Sequence, residues 1–212
     1  MGVCVIVLGI PRSGTSTAAG LLHEVLNVPM GSYLMPPMAG VNDKGFFEDM
    51  QFVEAHIDLM QAHEDPKIEF QPTRQALENY RNLVRFKEKT HQLWGVKDPK
   101  LCFLLPILLD NLKHEPRLVV TYRPFDRCVR SMMPLYGGMS LEHTSMLQAR
   151  YLCSLSKNLA DFKGQRVDLA YDEMVDDTSS CLKRLANLIG IQLSDEQFQK
   201  ADRFVSRELR HH

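Results

Sequence analysis

Charge of one sign is missing from this chain: 25 lysines and arginines stand against 26 aspartates and glutamates, a formal net charge of -1 over 212 residues. Nucleic acid and anionic membrane surfaces both attract proteins with a basic excess, so the balance argues against either as a general partner. Any anion site must be a local cluster. Cysteine pairing is missing as well. The five cysteines, Cys4, Cys102, Cys128, Cys153 and Cys181, are odd in number, scattered and never at metal spacing, which reads as reduced thiols of a cytoplasmic protein. None of the eight histidines is paired at ligand spacing except His211-His212, so no metal is expected, and His23 and His56 read as packed or exposed helix residues. Long apolar runs are also lacking. Val3 to Ile10 is too short for a membrane span or a secretory signal and has no basic front. Ile6 occupies the place where a myristoylation motif opening at Gly2 needs serine or threonine. Repeats and low-complexity tracts are absent.

An apolar content of 44% over this length suits one sizeable domain spanning residues 1–212. Val/Leu-rich runs with little alternation recur at Val3–Leu8, His91–Val96, Arg117–Tyr122 and Arg166–Leu169, as strands covered on both faces should. Helical periodicity fills the gaps: Thr15 to Leu26, Asp49 to Met60, a helix capped by Thr73, another from Ser140 to about Phe162, and Thr178 to Ile189 before Gly190. Ser194 and Gln197 form a capping box for a last helix. Strands alternating with helices predict an α/β three-layer sandwich with a mostly parallel central sheet, of the P-loop NTPase-like kind.

The lysine of a triphosphate loop is the most telling absence. Gly9-Ile10-Pro11-Arg12-Ser13-Gly14-Thr15-Ser16 links the first strand to the first helix, an order that aims backbone N–H groups at a phosphate. Gly9 and Gly14 have the separation of Gly-x4-Gly-Lys-Ser/Thr, yet Thr15 stands in the lysine position and the cation has moved to Arg12. The loop predicts phosphate binding by Pro11, Arg12, Ser13, Gly14, Thr15 and Ser16 without triphosphate hydrolysis.

Four motifs sit where predicted strands end: this loop, Lys97-Asp98-Pro99-Lys100, Arg123 to Ser131, and Tyr171-Asp172-Glu173-Met174. Ligands of open α/β sheets bind beyond the C-terminal strand ends. Arg123, with Ser131 eight residues later on a helix, can clamp a second phosphate between a guanidinium fork and a hydroxyl; the plainer reading is a basic helix start capped by Asp126.

At this point a resemblance becomes specific. Gly9 to Ser16 looks like the 5′-phosphosulfate loop of sulfotransferases that use 3′-phosphoadenosine 5′-phosphosulfate (PAPS), and Arg123 with Ser131 resembles their 3′-phosphate clamp. Trp94-Gly95-Val96-Lys97-Asp98-Pro99 and Gly45-Phe46-Phe47-Glu48 resemble elements of bacterial members, and Tyr171 to Met174 is similar to a stretch whose tyrosine lies by the adenine. The resemblance implies a PAPS-dependent sulfotransferase of compact bacterial type, with 3′,5′-adenosine bisphosphate (PAP) as product and no metal. The adenine-stacking tryptophan of cytosolic members is missing, with Thr17 near that position.

Sulfuryl transfer is an in-line displacement that builds negative charge on the leaving nucleotide, so cations and donors placed there lower the barrier. Arg12 and Lys97 are the candidates, with Thr15 and Ser16 as neutral donors. An acceptor hydroxyl or amine must also lose a proton to a base within reach. Glu48 ranks first, Asp43 second and Asp98 third, Asp98 also being an ordinary turn or helix cap before Pro99. The acceptor, a small molecule or a carbohydrate, should be read by residues 28–48, 61–72 and 132–145. The methionines of Met30 to Met38 fit either a pocket wall or a pinned loop. Arg207 and Arg210 either fold over the nucleotide or form a solvated helix face. Two other functions stay open: a P-loop kinase of a small metabolite, and a non-catalytic nucleotide-binding protein on the same fold.

Overall fold

The computed structural model describes residues 2–60, 71–135 and 138–205. Four strands, β1 (Val3–Leu8), β2 (Leu93–Lys97), β3 (Arg117–Tyr122) and β4 (Arg166–Ala170), form one sheet in the order β2-β1-β3-β4 with every neighbouring pair parallel. The apolar runs of the sequence become these strands within a residue or two. His91 begins no strand, because its backbone N–H closes the preceding helix on the Lys87 carbonyl and the ladder starts only at Leu93.

Alternate residues of the strands face opposite layers, which is why the runs read as continuous rather than alternating. Val5, Val7 and Val119 pack under α1 (Thr15–Gly20) with α8 (Thr178–Ile189) and α9 (Asp195–Phe204). Cys4, Ile6, Leu8, Leu118 and Val120 pack against α2 (Met50–Met60), α3 (Arg74–Thr90), α4 (Leu101–Asn111) and α6 (Leu141–Ala160). Trp94, 2% exposed, stacks on Phe52 within this second layer, so the tryptophan of its motif serves the core.

The predicted caps are in place. Thr73 accepts the Ala76 N–H, Ser140 accepts the His143 N–H, and Ser194 with Gln197 completes its capping box. Asp126 lies in the first turn of α5 (Phe125–Met132) without capping it. The first helix departs from its predicted course. Its α-helical part stops at Gly20, a wider π-helical turn follows over Leu21–Val25, and Asn27 at φ 55° ends the run in the left-handed region that asparagine tolerates. Two helices went unread: α4, and α7 (Tyr171–Asp176), whose first residue is the motif tyrosine.

From β1 the chain moves to one flank for β2 and then crosses to the other side of β1 for β3. The order therefore reverses between β1 and β3, the place where an open parallel sheet leaves a crevice at its C-terminal edge. Among the described residues no helix is long and apolar enough to cross a membrane.

Candidate active site

The crevice is built by bonds between the segments leaving β1 and β3. Ser13 Oγ lies 2.8 Å from Thr121 Oγ1, and the Ser13 N–H turns back to the Ile10 carbonyl at 3.1 Å. Ser13 is fully buried, so its side chain anchors the loop to β3. Gln148 of α6 donates Nε2 to the Pro11 carbonyl at 2.9 Å, a second anchor. A Cβ on Gly9 would run into the Ser13 and Thr121 hydroxyls, and one on Gly14, at φ 99°, would meet Tyr171 Cδ2 at 2.7 Å. Both glycines are required by close approach.

Arg12 has φ 71°, a left-handed conformation that costs a non-glycine residue about 1–2 kcal/mol. That backbone turn sends its guanidinium across the crevice, where Nε donates to Ser131 Oγ at 3.0 Å and Nη1 to the Val41 carbonyl at 3.1 Å. Arg123 donates Nη1 to the Arg12 carbonyl at 3.4 Å and lays its guanidinium 4.6 Å from the centre of the Tyr171 ring. Arg12, Ser131, Arg123 and Tyr171, spread widely along the chain, thus form one contiguous group.

Lys97 ends β2 and projects into the same crevice. Its Nζ lies 2.5 Å from Glu48 Oε1 and 3.3 Å from Ser16 Oγ, and Ser16 Oγ accepts from Asn42 Nδ2 at 2.9 Å. Glu48 is buried and held by its backbone, whose carbonyl accepts the Met35 N–H at 2.7 Å. Phe47 before it takes φ 56° and packs between the rings of His23 and Phe204. This turn places Glu48 beside Lys97.

The other two carboxylates have different surroundings. Asp43 is exposed, with Oδ1 accepting the Gly40 N–H at 2.9 Å. Asp98 is buried, with Oδ2 2.8 Å from His56 Nδ1 and Oδ1 accepting the Lys100 N–H at 2.8 Å, the turn-capping role its place before Pro99 suggests. Burial raises the Asp98 carboxyl, but the hydrogen bond and charge of His56, followed by Lys100, outweigh it and hold the group below the ordinary carboxylate range. His56 itself is buried against Tyr80, Nε2 to the hydroxyl at 3.2 Å. Its isolated position in the sequence gave no sign of this partnership.

A cavity of about 780 Å³ opens over these groups. Pro11, Arg12, Gly14, Thr15, Ser16, Lys97, Arg123 and Tyr171 line one side, and Asp43, Glu48 and Asp98 also reach its wall. Ser13 and Ser131 lie behind it and act through Thr121 and Arg12. Of the methionine segment, Met30 belongs to the core, whereas Met35 and Met38 line the cavity. Arg207, Arg210, His211 and His212 fall outside the described residues, as do positions 61–70 and 136–137 of the expected acceptor segments. Asn42 and Gln148 were missed by sequence reading, since a lone amide carries no pattern.

The profile of the sulfotransferase family matches residues 5–195. No curated protein matches the sequence. Sulfotransferase STF1 from Mycobacterium tuberculosis is similar in structure, with TM-score 0.55 and 16% identity, over 95% of this chain and 71% of that one. STF9 from Mycobacterium avium gives TM-score 0.59 and 14% identity, over 98% of this chain and 68% of that one. Retinol dehydratase, solved with androsterone and inactive cofactor PAP, gives TM-score 0.52 and 18% identity, over 97% of this chain and 64% of that one. At such identities the likeness concerns the fold.

Proposed function

The chain belongs to the sulfotransferase family, and on that premise we propose that it moves a sulfuryl group from PAPS to a hydroxyl or amine of a small-molecule or carbohydrate acceptor, leaving PAP. The reading rests on one arrangement: Lys97 bridges the phosphate loop at Ser16 and the buried carboxylate of Glu48. A cation that touches both can serve the leaving group and the base at once.

PAPS carries two anionic groups about a nucleoside apart, and the chain offers two matching places. The N–H groups that open α1 lack acceptors within the helix and suit the 5′-phosphate. Arg123 suits the 3′-phosphate, with Ser131 behind it holding Arg12 and the Tyr171 ring beside the adenine. Gly14 supports this fit, because a side chain there would displace Tyr171.

Each remaining residue has a task in this reading. Lys97 and Arg12 meet the negative charge that builds on the bridging oxygen, where loss of one such donor costs about 3–4 kcal/mol. Arginine holds its proton, so Arg12 works by charge alone. Glu48 accepts the proton of the acceptor. Asp98 is disfavoured as base because both its oxygens are engaged and its carboxyl is held low. Asp43 lies on an exposed turn. Charge neutralisation by side chains replaces a metal here, and the unpaired thiols suit a cytoplasmic protein.

Calorimetry tests the reading directly. PAP should bind tightly in the presence of a chelator and ATP far more weakly; the reverse order would point to a kinase and overturn the proposal. Transfer of label from PAPS to any acceptor separates an enzyme from a non-catalytic nucleotide binder.

A further inference from the structure

Ile10, Pro11, Arg12 and Ser13 form a four-residue turn, closed by the Ser13 N–H on the Ile10 carbonyl at 3.1 Å. Proline in the second place fixes a negative φ, and Arg12 in the third has φ 71°. A negative φ followed by a positive one makes this a type II turn, whose third place favours glycine. The type I alternative differs by rotation of the central peptide, Pro11–Arg12, and would give arginine an ordinary negative φ. Local preference therefore opposes the form observed. The strain of a left-handed arginine corresponds to a bias of about 5- to 30-fold toward type I.

The central peptide of this turn is the one that Gln148 holds. Gln148 lies on α6, 137 residues away and fully buried, and its Nε2 donates to the Pro11 carbonyl at 2.9 Å. A carbonyl only accepts, so the carboxamide must present its nitrogen there. The same nitrogen lies 3.2 Å from Met132 Sδ, and among the described residues the buried Oε1 finds no partner. A carboxamide with an unmatched oxygen is a costly choice for packing alone. Its one bond to the backbone goes to the turn.

In a trans peptide the C=O and N–H point opposite ways. With the carbonyl turned inward to Gln148, the Arg12 N–H turns outward, to the side where Pro11 and Arg12 line the cavity. Rotation to type I would exchange the two and set a carbonyl oxygen against an anion bound there. We propose that Gln148 is a positioning residue of the sulfuryl-transfer site: it selects the type II turn and so keeps the Arg12 N–H facing the 5′-phosphate. This rests on the PAPS reading and adds to it a residue outside the cavity wall. Ser131 and Val41 hold the Arg12 side chain, and Gln148 holds its backbone.

Gln148→Met keeps the length of the side chain and removes the donor. A readout free of ligand is the nuclear Overhauser effect between Pro11 Hα and the Arg12 N–H. It is intense in a type II turn, where both hydrogens lie on one side of the peptide, and weak in type I. The native chain should show it intense and Gln148→Met weak. Calorimetry with PAP should show a loss of affinity of at least about fivefold, since only the type II fraction binds. Arg12→Gly separates positioning from packing. Glycine takes the left-handed φ without strain, so adding Gln148→Met to Arg12→Gly should change PAP affinity by less than about twofold. A weak effect in the native chain, an unchanged one in a folded Gln148→Met, or equal losses of affinity in both backgrounds would each overturn the proposal. Gln148→Leu carries the same expectations should Gln148→Met fail to fold. Failure of PAP to bind the native protein removes the transfer reading together with this one, whereas PAP binding with equal losses removes this one alone.

Discussion

Lys97 and Glu48 form an ion pair with Nζ 2.5 Å from Oε1, and their side chains are 3% and 8% exposed. Neither charge has bulk water to stabilise it, so each depends on the other, and Ser16 adds a third polar contact at 3.3 Å. A lysine fixed by a strand end and a glutamate fixed by a left-handed turn are thereby held against the Gly9–Ser16 loop. This pairing has measurable consequences.

Lys97→Met should lower kcat by about 100- to 1,000-fold, as expected for loss of a charge-stabilising donor. It should also destabilise the fold by about 3–5 kcal/mol, because Glu48 is left buried and unpaired. The double variant Lys97→Met/Glu48→Gln should regain much of the stability in urea titrations and none of the transfer. Recovery of transfer in the double variant would show that the pair serves the fold only.

Gly14→Ala tests the cradle. Its left-handed φ of 99° adds about 1–2 kcal/mol of strain for any other residue, and the new Cβ would press Tyr171 and Met174 at 2.7 and 2.9 Å. PAP affinity by calorimetry should drop at least about tenfold from these two effects. Unchanged affinity would remove Tyr171 from the nucleotide site.

Asp98 predicts a pH dependence of stability. Its folded carboxyl is held below the usual value of 3.8, mainly because His56 and then Lys100 outweigh the burial that raises it. A carboxylate depressed in the folded state stabilises fully above its unfolded pKa and loses that contribution as pH falls through the folded one. Asp98→Asn should therefore melt below the native protein at pH 5, with the gap narrowing steadily below about pH 4. A gap that stays constant down to pH 2 would contradict the assignment.

Lys87 and Asp49 form a second buried pair at 2.7 Å, with Asp49 also accepting the Gln51 N–H at the start of α2. Lys87→Met should cost about 3–5 kcal/mol in urea unfolding. PAP affinity should be unaffected, since Lys87 contacts none of the residues proposed to hold the nucleotide. A parallel loss of affinity would mean that this pair helps shape the loop carrying Glu48.

Much of the frame was legible because local patterns write it directly. Buried parallel strands leave Val/Leu runs, and Thr73, Ser140 and Ser194 announce helix starts by their own side-chain oxygens. The π-helical turn at Leu21–Val25 was not legible, since its apolar face has the spacing of an ordinary helix. α4 escaped because its continuous leucines and internal Pro106 hide an amphipathic period. His56 looked like one more packed histidine, and nothing near it in sequence pointed to Asp98, 42 residues away.

By itself the sequence determined the glycine loop between the first strand and the first helix, the parallel α/β class and the residue types gathered at strand ends, because these follow from backbone geometry and spacing along a single segment. The tertiary structure alone decided how those residues share the work. It set Ser13 behind the loop, carried Arg12 across to Ser131, gave Asp98 to His56, and placed Glu48 on Lys97. A carboxylate's role depends on which charges and how much water surround it, and those neighbours arrive from distant segments only when the sheet reverses its order between β1 and β3.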